Sequence, residues 1–257
     1  MWGLYAIAGI VGIFIGSFLN VVIYRGPSLW ALIDDDRGNL ARPRSYCPEC
    51  GKQLSPIELI PIISYFLQKG ACRACGATIP RRYPIVEFLG AGIALLCAWR
   101  FGMSVEAVLG MLFGWTLIVL AFIDSETGFL PDALTLPLAV GGIAFNTVDL
   151  IVPWPYAILG CALGYYVFWG ISKLYVMVRG HEGLGLGDAK LLSAIGAWVG
   201  WMYLPLVVFV GALTTLAFTI AKAGGIKNVS TTTATPFGPG LALGGFIALI
   251  MTTYSVY

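Results

Sequence analysis

The sequence predicts an all-α polytopic membrane protein of about eight transmembrane helices, with a small cytoplasmic zinc-binding domain between helices 1 and 2. Three observations carry that expectation. First, 58% of the 257 residues are hydrophobic and only 11% are charged, with a mean hydropathy of +0.86. A soluble domain is about 25% charged, so this chain cannot cover itself with a solvated surface. Second, the apolar runs are of helical length, unlike the alternating segments of roughly ten residues that build an outer-membrane barrel. Third, two C-x-x-C pairs lie between the first two runs. The net charge of +2 is too small to argue for a nucleic-acid partner.

Eight apolar runs, separated by Gly, Pro or charge, define the spans: residues 2–24, 85–99, 105–123, 133–150, 156–178, 189–201, 203–221 and 240–254. A spanning helix needs about 20 residues, so the second and sixth are short and are expected to be tilted, interrupted or extended into their polar flanks. The first run has no basic start and no small-residue cleavage site, and positive charge follows it. It reads as an uncleaved anchor, residues 1–24, with its N-terminus outside. Residues 25–83 form the one sizeable non-membrane region, too short for a large core. Residues 84–257 then form a seven-helix membrane domain. No internal repeat or low-complexity segment is visible.

Orientation follows from the basic residues. Arg25, Arg37, Arg42, Arg44, Lys52, Lys69, Arg73, Arg81 and Arg82 are nine of the fifteen in the chain, and basic loops stay in the cytoplasm. Counting spans from there puts the turns near Asp124, 179–188 and 222–227 on the cytoplasmic side too. The turns near Arg100, Asp149 and Trp201, and both termini, face outward.

In the non-membrane region, Cys47–Pro48–Glu49–Cys50 and Cys72–Arg73–Ala74–Cys75 are separated by 21 residues. In a reducing cytoplasm such pairs ligate metal by default. Two of them complete a closed tetrahedral four-cysteine site for Zn2+, and a small domain without its own core gains stability from the metal. Gly51 and Gly76 directly follow each pair and suit the tight turn of a zinc knuckle. A thioredoxin-like redox pair explains neither the duplication nor the lack of a βαβ pattern. A closed site has no open position for water, so the zinc, one per chain, is expected to be structural. Cys97 and Cys161 lie inside apolar spans and read as small buried hydrophobes.

Asp124 closes the apolar run 115–123, and Asp188 follows Gly183–Leu184–Gly185–Leu186–Gly187 and opens the next run. A carboxylate at the bilayer centre costs roughly 2.5–3.5 kcal/mol on insertion scales, so such residues usually have a partner and a function. Both fall at cytoplasmic helix ends. Nearby carboxylates can share one proton, one acting as base toward water and the other as acid. The glycines before Asp188 allow close approach of a substrate backbone. A dinucleotide-binding glycine loop would need a preceding strand and a βαβ unit, which two membrane helices do not provide. Proton carriers of a transporter would lie near the midplane at a repeat interface; these lie at helix ends and no repeat is seen. A purely structural zinc-bearing anchor would leave the paired carboxylates unexplained.

Gly185-x-Gly187-Asp188 is the G-x-G-D arrangement of intramembrane aspartyl proteases, and the surrounding motifs extend the likeness over nearly the whole chain. They include Gly16–Ser–Phe–Leu–Asn20–Val–Val–Ile–Tyr–Arg25, Cys47-x-x-Cys50 with Leu59–Ile–Pro–Ile–Ile–Ser–Tyr65, Gly70-x-Cys72–Arg73-x-Cys75 and Arg82–Tyr–Pro–Ile–Val–Glu87. Further along stand Ile123–Asp124, Leu130–Pro–Asp132-x-Leu134–Thr135, Gly185-x-Gly187–Asp188-x-Lys190 and Pro236–Phe–Gly–Pro239. In this order they resemble the bifunctional type IV prepilin leader peptidase and N-methyltransferase family.

That resemblance implies a bacterial cytoplasmic (inner) membrane protein acting on prepilin or pseudopilin substrates in the bilayer. It implies cleavage of a basic leader after a glycine, then methylation of the new N-terminal residue, usually phenylalanine, from S-adenosylmethionine. Asp124, Glu126 and Asp132 crowd one turn, and residue chemistry alone does not choose between them; the family pattern carries the catalytic role onto Asp124 and Asp188, with Gly185, Gly187 and Lys190 in support. An acidic turn of this kind could attract the basic leader. Asp132, after Pro131, reads as a helix N-cap, and Glu126 as a solvated turn residue. Lys190 reads either as a snorkelling lysine or as a group that tunes the pair or holds substrate. His181, beside Glu182, has no evident Ser or Cys partner. The methyl-transfer site has no derivable motif; Asn20 and Glu87, polar groups in the first two spans, either pair with neighbouring helices or line a pocket for S-adenosylmethionine. Pro236 to Pro239 reads as punctuation at the start of the last span, beside the active site.

Overall fold

The computed structural model describes residues 2–179, 185–223 and 235–252. Nine α-helices fill these segments: α1 (Trp2–Leu29), α2 (Ile63–Leu67), α3 (Arg82–Phe101), α4 (Val105–Thr127), α5 (Asp132–Asn146), α6 (Trp154–Arg179), α7 (Leu186–Val199), α8 (Leu204–Ala223) and α9 (Gly238–Met251). Among the described residues there is no strand, only two isolated bridges. Each of the eight expected spans contains a helix, but by length and composition only α1, α3, α4, α6 and α8 are long and apolar enough to cross a membrane. The chain divides into two compact units, Met1–Val119 and Leu120–Tyr257.

The second span, expected to be short, is a full 20-residue helix. Arg82 and Tyr83 extend it toward its polar flank, and Pro84 is tolerated there because first-turn N–H groups have no intrahelical partner. The fourth is shorter than read, because α5 stops at Asn146. The Asn146 side chain accepts the N–H groups of Ile151 and Val152 at 3.0 and 3.1 Å and donates to the Ala197 carbonyl at 3.0 Å, fixing a turn where the hydropathy continues. The sixth, α7, has only 14 residues. The last, α9, also has 14.

In the first unit α1 and α3 lie against each other through glycines. A Cβ on Gly12 would sit 2.6 Å from the Gly90 carbonyl oxygen, and one on Gly16 would sit 2.7 Å from the Glu87 Cα. Small residues at such a crossing let backbones touch where no hydrophobic force acts between helices in lipid. Ala8, Ala94 and Ala98 continue the seam, with Trp115 of α4 donating to the Gly90 carbonyl at 3.0 Å. Arg25, counted among the orienting charges, is itself buried and donates to the carbonyls of Asn39 (2.7 Å) and Pro43 (2.8 Å), tying the loop to α1.

In the second unit α7 is the core. Every residue from Ala189 to Val199 except Lys190 is buried, and α5, α6 and α9 pack around it while α8 packs on α9. A helix enclosed by protein has no need to match the bilayer thickness, which is why α7 can be short. Gly160 and Gly196 bring α6 and α7 into backbone contact, and the Ser193 hydroxyl donates to the Cys161 carbonyl at 2.8 Å. Cys97 is fully buried, as expected; Cys161 is half-buried.

Candidate functional site

The second unit gathers four helix ends around two carboxylates. Asp124 lies in the last turn of α4 and is 6% exposed. Its Oδ2 accepts the backbone N–H of Gly238, the first residue of α9, at 2.9 Å. First-turn N–H groups have no intrahelical partner, so this bond satisfies one orphan donor of α9 and orients the Asp124 side chain. A Cβ on Gly238 would fall 2.6 Å from the same oxygen. Only glycine lets the two meet.

Asp188 is in the first turn of α7, with Gly185 in the capping position. Its carboxylate accepts the Gly185 N–H and lies within electrostatic reach of Asp124. Gly187 faces Leu130: a Cβ there would come within 3.2 Å of the Leu130 Cβ. The segment before α5 thus packs on the start of α7.

The structure corrects the reading of Asp132. Pro131 takes the capping position and Asp132 is the first helical residue, without a capping bond. It is instead the partner of Lys190, whose Nζ donates to Oδ1 and Oδ2 at 2.7 and 2.8 Å. Lys190 is held by a carboxylate from another helix, an arrangement its position beside Asp188 alone did not reveal. Glu126 is exposed, but within α4 and not in the turn after it. Phe237 stacks at 6.2 Å on Phe168 of α6, steadying the start of α9. His181, Glu182 and Gly183 lie outside the described residues.

The four cysteines of the first unit converge. All four Sγ atoms lie within 4.8 Å of one another, and Cys47 and Cys75 are 3.9 Å apart. Four sulfurs at about 2.3 Å from a tetrahedral zinc stand about 3.8 Å apart. The two knuckles are near copies. Cys47 N–H donates to the Lys52 carbonyl and Gly51 N–H to that of Cys47, each at 2.9 Å; Cys72 N–H donates to Ala77 at 2.8 Å and Gly76 N–H to Cys72 at 2.9 Å. Gly51 and Gly76 take φ of +69° and +74°, as the turns require. The N–H groups of Cys75 and Ala74 bring the Cys72 thiol down to about 6. At Cys75 the Ala77 N–H favours the thiolate, but burial and the bonds with Cys50, Cys72 and Cys47 outweigh it and push the group up to about 12. Four sulfurs this close cannot all ionise without a cation among them, so the donor set fits a divalent metal.

Between the knuckles, Glu58 accepts the backbone N–H and the hydroxyl of Ser55 at 2.9 and 2.8 Å, which hold its carboxyl down to about 2. Lys52 adds an ion pair at 3.2 Å.

Asn20 and Glu87 are both buried where α1 meets α3. Asn20 Nδ2 donates to the carbonyls of Tyr83 (3.1 Å) and Gly16 (3.3 Å), and Glu87 Oε2 accepts the Ile62 N–H at 2.6 Å.

Known proteins match this chain over most of its length. Residues 10–101 match the profile described as the bacterial peptidase A24 N-terminal domain, and residues 111–220 that of the type IV leader peptidase family. A protein of Aeromonas salmonicida named prepilin leader peptidase/N-methyltransferase is 38% identical over 97% of this chain and 91% of its own length. Proteins of the same name from Pseudomonas putida (37%, 95% of this chain, 89% of the relative) and Neisseria gonorrhoeae (38%, 94% and 88%) are similar. No solved structure gives a significant match.

Proposed function

The chain belongs to the type IV leader peptidase family, and from that premise we propose that it removes the basic leader from type IV prepilins or pseudopilins and then N-methylates the new terminus. The reading places both aspartates and the cysteine domain on the cytoplasmic side of the bacterial inner membrane, where nine basic residues gather in 25–83. The substrate's apolar helix stays in the bilayer and its basic leader lies in the cytoplasm.

The observation that carries the peptidase reading is that Asp124 and Asp188 stand at helix ends of one unit within electrostatic reach of each other, with Gly238 fixing one oxygen of Asp124. Two such carboxylates share one proton and titrate as a pair. The ionised one draws a proton from water as the oxygen attacks the scissile carbonyl; the protonated one gives its proton to the carbonyl oxygen or leaving amine. Gly185 leaves room for the substrate backbone beside Asp188, Gly187 admits Leu130 against the start of α7, and Lys190 steadies that turn through Asp132.

Zn2+ is the metal that four thiolates in this geometry suit, and the closed set assigns it a structural role. S-adenosylmethionine would supply an electrophilic methyl group.

Incubating detergent-solubilised protein with a prepilin tests the reading. Asp124→Asn and Asp188→Asn should each lower cleavage by about 10²–10⁴-fold or more, the scale of lost acid–base catalysis. Cleavage at the wild-type rate by either variant would remove the aspartic mechanism.

A further inference from the structure

Glu87 is a buried carboxylate that hydrolysis at Asp124 and Asp188 does not use. It stands in the second turn of α3, 6% exposed. It accepts the backbone N–H of Ile62 at 2.6 Å, and the Ser17 side chain lies within its electrostatic reach. No Lys or Arg among the described residues pairs with it.

Two further observations single out this spot. Asn20, 2% exposed and one turn along α1 from Ser17, uses its amide nitrogen on the Tyr83 and Gly16 carbonyls, while its Oδ1 is buried with no protein partner. Residues three apart on a helix have Cβ atoms about 5–6 Å apart, so Asn20 and Ser17 face Glu87 from one turn of α1. The second is Ile62 itself, at φ +63°, ψ −57°. A β-branched residue rarely takes that conformation, and holding it strains the backbone.

This spot therefore brings together a buried carboxylate with no cationic partner among the described residues, an orphan carbonyl and a strained backbone. An unmatched buried acceptor is costly, and a buried carboxylate without a cation beside it is costly to ionise. Stability alone gives no reason to collect these costs in one place. What would satisfy them is a group with several N–H donors and a positive charge.

We infer that Asn20, Ser17 and Glu87 form a binding site for an α-ammonium group, and that its occupant is the N-terminus exposed by leader cleavage. This rests on the methyl-transfer reading above. Before that nitrogen can accept a methyl group it must lose a proton, and Glu87 is the carboxylate placed to take it. The N–H bond breaks, its electron pair stays on nitrogen as the lone pair, and the proton passes to Glu87 and on to water. That lone pair would form the N–CH3 bond as the S–CH3 bond of the sulfonium donor breaks, the bonding pair staying on sulfur, which leaves as a neutral thioether.

Binding of synthetic peptides to the full-length protein in detergent tests the site. The probes are an apolar peptide that begins with phenylalanine and has a free amine, its N-acetylated counterpart, and S-adenosylmethionine. Wild type should prefer the free amine by tenfold or more. Glu87→Gln keeps an acceptor for the Ile62 N–H yet should bring the preference to within about twofold, while Glu87→Asp should keep most of it. A preference in Glu87→Gln equal to that of wild type would overturn the site. If Glu87→Gln instead lost S-adenosylmethionine binding and kept the preference, the site would serve the amino-acid end of the donor, and the assignment to the cleaved terminus would fall. A wild-type protein that cleaved prepilin without adding 14 Da would sink the methyl-transfer reading separately, since the amine preference is measured without turnover.

Discussion

The backbone N–H of Gly238 donates to Oδ2 of Asp124 at 2.9 Å, across 114 residues of sequence. The bond joins the end of α4 to the start of α9 and orients the carboxylate with a rigid donor. Its counterpart at Asp188 is local, from Gly185 in the same helix start. The two aspartates are thus positioned by different means, and the long-range one is the more exposed to mutation.

Gly238→Ala should damage the site without removing a catalytic group. Its Cβ would sit 2.6 Å from Oδ2 and 2.9 Å from Cγ of Asp124, so the carboxylate or α9 must move. A displacement near 1 Å at a reacting group costs on the order of 10²-fold in rate. We expect kcat for prepilin cleavage to fall by about that factor, with KM changed little. A cleavage assay at saturating substrate reads it, and wild-type kcat would show that the Gly238 contact has no role in positioning.

Lys190 and Asp132 should behave as one unit. Their side chains are 33% and 53% exposed, and pairs this accessible typically contribute about 0.2–1 kcal/mol, so neither Lys190→Ala nor Asp132→Ala should unfold the protein. Both should loosen the start of α7 and lower cleavage by roughly the same few-fold, on the scale of that energy. The double variant should be no worse than either single one, the mark of residues acting through each other. Additive losses in the double-mutant cycle would mean that Lys190 acts on the reaction independently of Asp132.

How much of this was legible in the sequence depends on distance along the chain. The knuckles were, because each needs only a C-x-x-C pair and a glycine, and backbone bonds between near neighbours close it. The aspartates at span ends were, because charge interrupts hydropathy. The end of α5 was not: Leu150, Ile151 and Val152 resume the apolar character after Asn146, and the bonds of Asn146 to Ala197, Ile151 and Val152 fold the chain into a turn there. Asp132 was misread as a cap because an acidic residue before an apolar run satisfies that pattern, and its partner Lys190 is 58 residues away. Pro236 to Pro239 was legible as a helix start but not as the donor to Asp124. Pairings of this kind follow from packing around α7, which no local pattern encodes.

Removing the metal should unfold the cysteine domain, and the pH at which it leaves should be set by the thiolates. Metal binding requires deprotonated cysteines, so acidification releases the ion. Glu58 is the other titrating group that could stabilise this loop. Its folded value of about 2 lies below the ordinary 4.5, so its contribution is complete above about 4.5 and is lost as pH falls through 2. Between neutral pH and 4.5 it therefore stays constant, and any loss of metal in that window belongs to Cys47, Cys50, Cys72 and Cys75. Metal content followed by chelator competition over this range should fall in wild type and Glu58→Gln at the same pH, though Glu58→Gln should be cleaved sooner by protease within 25–83 throughout. Cys72→Ser should hold little metal even at neutral pH and show the same protease sensitivity as chelator-treated wild type. One equivalent of zinc retained by Cys72→Ser would place the ion on a different set of ligands.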